Sequence, residues 1–124
     1  MASLGDDKNG GEWRPAYPAA LANVLAVSAT GRDDTLAWFS DYGSNVRLSA
    51  PGDDVVSSIP GGGYARMWGT GFSGAIVSGV AALVASVNPA LNNAQIVDIL
   101  TSQLKVSYLF VRKKRSVLQV YLLT

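Results

Sequence analysis

The strongest chemical signal in the chain is Gly69-Thr70-Gly71-Phe72-Ser73-Gly74, a glycine-flanked turn that opens a long apolar run. A turn of this kind feeding a helix N-terminus aims backbone N–H groups outward, and the helix dipole favours negative charge there. It is a place where a nucleophilic hydroxyl can stand beside an oxyanion site. The residue where that chemistry needs the hydroxyl is Gly71, and the 124 residues contain no histidine to act as its base. Cysteine is absent as well, which excludes thiolate nucleophiles, disulfides and cysteine metal sites. Without His or Cys, zinc would need carboxylates alone. The pairs Asp6/Asp7, Asp33/Asp34 and Asp53/Asp54 sit in turns, where Asp bonds its own backbone. Metal binding is their sharper reading, but no EF-hand spacing accompanies them. No cofactor and no metal is expected.

The elements that must position this turn are legible in part. Asn23–Ala29 is apolar on both faces, as in a buried strand. Leu36–Phe39, Val46–Ala50 and Val55–Ile59 read as three further short strands, separated by Gly/Asp/Asn turns. Pro60-Gly61-Gly62-Gly63-Tyr64 reads as a flexible loop. From Phe72 to Val87 almost nothing polar covers any face, so this helix expects wrapping on all sides. Gly74 and Gly79 would weaken it by about 1 kcal/mol each against Ala, unless another backbone must come close. A second helix, 93–104, is announced by Asn92 as N-cap and Gln95 three residues on. Ile96, Val97, Ile99, Leu100 and Leu104 form its apolar face.

Composition is that of a globular domain: 48% hydrophobic and 9% aromatic. The net charge of +1 implies no general affinity for nucleic acid. Residues 1–104 hold all 9 acids and only 5 basic groups, whereas residues 105–124 hold 5 basic groups and no acid. The tail 105–124 is therefore expected to be unrelated to what precedes it. Its quartet Arg112-Lys113-Lys114-Arg115 reads as a solvated turn, with a localisation signal or anionic-surface patch as the alternative. No secretory signal opens the chain, so cytoplasmic placement is the default. The apolar run is interrupted by Ser73, Ser78 and Ser86 and ends at Asn88-Pro89, so no membrane span is expected.

Four collinear segments resemble subtilisin-like serine peptidases, specifically the C-terminal third of their catalytic domain. Ala19–Ala29 is similar to the strand leading from the substrate cleft. Phe39-Ser40-Asp41-Tyr42-Gly43 resembles the family's Phe-Ser-x-x-Gly turn, and Val46–Gly52 its strand ending in Ala-Pro-Gly. Gly69–Gly79 sits where the family carries Gly-Thr-Ser-Met-Ala-[Ser/Thr]-Pro-His-Val-Ala-Gly. The resemblance implies a partial α/β fold over residues 1–104, mostly parallel strands packed on a long buried helix (72–87) and a second helix (93–104).

The resemblance also implies what is altered. Gly71 holds the nucleophile position, and the Asp and His segments of the triad have no counterpart. Asp6 holds the place of the family's side-chain oxyanion donor, an Asn, and a carboxylate there would repel a developing O⁻. Leu4, Gly5 and Asp6 would form part of a substrate-cleft wall. The carboxylate that aids a weak cation site in some relatives aligns with Arg47. Substitute nucleophiles are poorly placed: Ser73 lies about 200° round the helix from position 71, and Thr70 is on the other side of the turn. Substitute bases would have to be Lys8, a lysine of the tail, or Glu12.

The expectation is a truncated, degenerate homologue without proteolytic activity on its own, although the family is commonly secreted and active. An interaction protein is the second reading, using open sheet edges to bind a peptide or a complementary protein fragment. A serine endopeptidase represented by a damaged or incomplete sequence is the third.

Overall fold

The computed structural model describes residues 1–7 and 15–102. The expected tail from 105, with its two short β-prone runs and basic quartet, falls outside them, as do Lys8 and Glu12. The described chain runs β1 (Ala2–Ser3), β2 (Ala26–Thr30), β3 (Val46–Pro51), β4 (Val55–Ser58), β5 (Tyr64–Met67), α1 (Thr70–Val87) and α2 (Asn93–Ser102). The first three strands make a parallel sheet in the order β1-β2-β3, and β4 and β5 make an antiparallel hairpin.

Strand β2 is buried along its whole length, as its two-sided apolar sequence requires. Its alternating side chains feed different clusters. Val27, with Leu25 just before the strand, joins Leu48, Ala50, Val77 and Leu100 beneath the helices, while Ala26 packs with Leu4 and Ala19. Both helices contribute to the first cluster, through Ile76, Val80 and Val84 of α1 and Ile96 and Val97 of α2. The predicted capping box is present: Asn92 Oδ1 accepts the Gln95 N–H at 3.0 Å, and Gln95 Oε1 accepts the Asn92 N–H at 2.9 Å.

The structure corrects the expectations in four places. Leu36–Phe39 is not a strand, for only Leu36 bridges, to Thr30. The segment crosses the end of the sheet instead, with the Ala37 N–H on the Ala29 carbonyl and the Ala29 N–H on Ser40 Oγ. The glycine loop ends one residue sooner than expected, because Tyr64 already pairs with Ser58 and opens β5. Helix α1 starts at Thr70, and its buried residues are Thr70, Ser73, Gly74 and Val77 only. Wrapping therefore holds on one side of its first half, while Leu83 and Val87 are 66% and 86% exposed. A Cβ on Gly74 would lie 3.7 Å from the Ser3 nitrogen, an ordinary approach, and one on Gly79 would meet nothing within 4 Å. Close backbone approach thus accounts for neither glycine. By length and composition α1 could cross a membrane, with a mean hydropathy of 1.7, yet one side of it lies on β2 and β3.

Candidate active-site frame

The start of α1 is held by three loops. Gly69 has φ 146°, a conformation that disfavours side chains, and its N–H donates to the Gly52 carbonyl at 2.8 Å. Gly52 is the last residue of the Ala-Pro-Gly segment, and its own N–H bonds the Thr30 carbonyl at 3.0 Å. A Cβ on Gly52 would stand 2.3 Å from Ser73 Oγ, 2.6 Å from Ala29 Cβ and 2.9 Å from the Gly69 oxygen. Only glycine lets β3, β2 and the helix start converge here.

Ser73 faces inward, as its angular position predicts. It is buried, and its hydroxyl donates to the carbonyls of Ala50 at 2.9 Å and Pro51 at 3.2 Å. It fastens the helix to β3 and is closed to a substrate. Thr70 is also buried, its Oγ1 accepting the Gly5 N–H at 3.2 Å.

Asp6 reaches the same turn from 64 residues away in sequence, accepting the Thr70 N–H on Oδ1 at 2.7 Å. Gly69, at the N-cap, makes no side-chain cap bond of its own, so Asp6 caps α1 from outside. The carboxylate is favoured there by the helix N-terminus. Gly5 has φ 129° and sits so close to Asp41 that a Cβ would lie 2.3 Å from Asp41 Oδ2. Its carbonyl accepts the Asp41 N–H at 2.9 Å. The side chain of Leu4 is buried with Ala19 and Ala26, and its N–H bonds the Val27 carbonyl. Leu4 is buried and Gly5 half-buried, while Asp6 is exposed with one carboxylate oxygen on the helix start.

Gly71 differs from every other residue of this turn. It is exposed, and a Cβ built on it would meet nothing within 4 Å. A side chain at 71 would project into open space, but glycine supplies only backbone.

The Phe39-Ser40-Asp41 turn has a structural role that sequence reasoning did not assign. Ser40 Oγ accepts the Ala29 N–H at 2.9 Å and donates to the Asp41 carbonyl at 3.0 Å, both buried. Phe39 is buried with Ala29 and Ala37 and stacks obliquely on Trp68, centroids 4.9 Å apart. The turn thereby links β2 to the residue just before Gly69. Arg47, the expected substitute at a cation site, is exposed. Among the described residues, no three His, Cys, Asp or Glu side chains gather where a metal could sit.

The charged groups with displaced titration are Asp33, in the turn after β2, Asp54, just before β4, and Arg66 in β5. Asp54 bonds Arg66 Nη1 at 2.7 Å and also Arg32, and these partners hold its carboxyl below the usual aspartate range, the Arg66 bond most of all. Arg66 is raised in turn by Asp54. Asp33 is lowered by the Thr35 hydroxyl, 2.8 Å away, and by the Thr35 N–H.

Comparison with known proteins agrees with this geometry. The model of the subtilase family matches residues 1–117. Alkaline elastase YaB of Bacillus sp. (strain YaB) is 44% identical over 88 residues, covering 71% of this chain and 23% of the relative. Subtilisin Savinase of Lederbergia lenta is 43% identical over 88 residues, covering 71% and 33%. The chain thus spans between about a quarter and a third of these relatives. The crystal structure of a cold adapted subtilisin-like serine proteinase superposes with a TM-score of 0.88 at 28% identity, over all of this chain and 45% of that one. With a parallel sheet under α1, a glycine-built helix start and a family match over nearly its whole length, this chain belongs to the subtilase family.

Proposed function

We propose that this chain is a degenerate subtilase-family protein that does not hydrolyse peptides by itself. The observation that carries the reading is Gly71: the one open, exposed position on the first turn of α1 bears no hydroxyl. Two further features support it. No histidine exists anywhere in the 124 residues to serve as general base. Asp6 sets a negative charge on the helix N-terminus, where a peptidase needs a donor to a developing oxyanion. Supplying the absent base from another polypeptide would leave the first defect unrepaired. The test is turnover of a peptide p-nitroanilide by the purified chain. The expected rate equals buffer alone, and hydrolysis that co-purifies with the chain and is stopped by a serine-directed inhibitor would overturn the reading.

A second reading, an interaction protein, is favoured by one observation. Among the described residues, strand β1 pairs only with β2, and Leu83 and Val87 in the outer half of α1 are exposed. A free strand edge beside an apolar helix flank suits a complementary polypeptide. Size-exclusion chromatography checks it: self-association or capture of a complementary subtilase fragment supports it, and a stable monomer that ignores such a fragment contradicts it.

A further inference from the structure

The turn after β2 and the residue after Gly52 line an open, shallow cavity of about 390 Å³. Its walls are of three kinds. Leu36, Ala37 and the ring of Trp38 are apolar, Thr35 carries a hydroxyl, and Asp33 and Asp53 bring carboxylates from two separate loops. The carboxylates converge on Gly31: a Cβ there would lie 3.2 Å from Asp33 Oδ1 and 4.0 Å from Asp53 Oδ2. The missing side chain leaves that space open between them.

Trp38 is 59% exposed, yet it is held in place. It packs edge-on against Phe39 with centroids 5.4 Å apart and at a tilt against Trp68 at 5.1 Å. A large ring kept rigid and half in water, at the rim of a cavity, offers a π face at little entropic cost. A cation over such a face is attracted by the ring quadrupole, and adjacent carboxylates add charge.

Arg32, which also lines the cavity, has its charge matched by an ion pair with Asp54. The lining itself carries two carboxylates, Asp33 and Asp53, against the one guanidinium of Arg32. The Thr35 bonds favour the charged form of Asp33 and hold its carboxyl below the usual aspartate range. Two carboxylates are too few for a metal cage, and none gathers here among the described residues. A planar cation that can lie on the ring while bonding both carboxylates meets all three kinds of wall.

We propose that this cavity binds the guanidinium of an arginine side chain presented by a peptide, with Trp38 beneath it and Asp33 and Asp53 at its edges. The site is separate from the Gly71 frame and stands whether or not the chain is catalytically inert. The test is titration of the full chain with N-acetyl-argininamide, its neutral isostere N-acetyl-citrullinamide and the peptide Gly-Gly-Arg-Gly-Gly, followed by the Trp38 indole N–H resonance and by calorimetry. A saturable response to both arginine ligands is expected, stronger for the peptide, and at least tenfold weaker for citrulline. Asp33→Asn with Asp53→Asn should weaken binding about tenfold, because Asn keeps the Thr35 acceptor but not the charge. Trp38→Leu should weaken it comparably, with circular dichroism confirming the fold of each variant. Equal binding of citrulline, unchanged affinity in the double Asn variant, or calcium displacing the indole response at lower concentration than arginine would overturn the proposal. Equal affinity for the free and peptide-borne side chain would overturn its peptide source.

Discussion

The second half of α1 is the more apolar, seven of nine residues over 79–87 against four of nine over 70–78, yet it is the less buried. At its start, residues from three loops and two strands converge on Thr70 and Ser73, every hydroxyl is bonded, and Gly52 and Gly69 admit no side chain. Toward its end, Gly79 has open space around it and Val87 is almost fully exposed. Burial along this helix follows the buried polar anchors rather than hydrophobicity. Buried hydroxyls fix the first turn because each has one partner in one direction, and leaving any of them unpaired costs more than a lost apolar contact gains.

Substitutions at matched positions sharpen that contrast. The largest effect is expected at Gly52. Gly52→Ala drives a Cβ into the Gly69 backbone and should cost about 3 kcal/mol in denaturant unfolding, whereas Gly79→Ala should gain about 1 kcal/mol by helix propensity alone. Equal effects at the two sites would erase the difference between the halves. Next comes Val77→Ala, which empties a 2% exposed core position and should cost about 2 kcal/mol. The matching Leu83→Ala should stay within about 0.5 kcal/mol. Asp6→Ala removes the cap on Thr70 and should cost about 1 kcal/mol, with Asp6→Asn recovering much of it because the amide oxygen still accepts.

The smallest effect concerns pH. The folded Asp54 titrates below its unfolded counterpart, so its contribution is present above the ordinary aspartate range and fades as pH falls through the lowered value. Because the pair is exposed, the stability change should be slight, while the Asp54 carboxyl resonance should show a depressed midpoint that Arg66→Ala brings back up.

Much of this was readable from the residues. Asn92 and Gln95 announce α2 because a capping box is local chemistry, complete within four residues. Ser73 is placed in the packing by helix geometry alone. Leu36–Phe39 misleads, since its apolar residues serve an aromatic cluster with Trp68 instead of a strand ladder. The bare flank of α1 was hidden because composition states what a face would favour, not what covers it. The role of Asp6 was the least visible. Its partner Thr70 is 64 residues distant, and only tertiary structure brings a loop carboxylate onto a helix start. Gly5 and Gly52 carried a signal that could have been used, for each belongs to a segment where a Cβ meets a neighbour.

Reaction with a fluorophosphonate probe reports directly on whether any activated hydroxyl stands at the start of α1. The purified chain should remain unlabelled at concentrations that saturate an active subtilisin, and Gly71→Ser should remain unlabelled too, since a hydroxyl without a base is not activated. Stoichiometric labelling of the unaltered chain, mapped by mass spectrometry to Thr70 or Ser73, would contradict the view that these hydroxyls only hold the fold together.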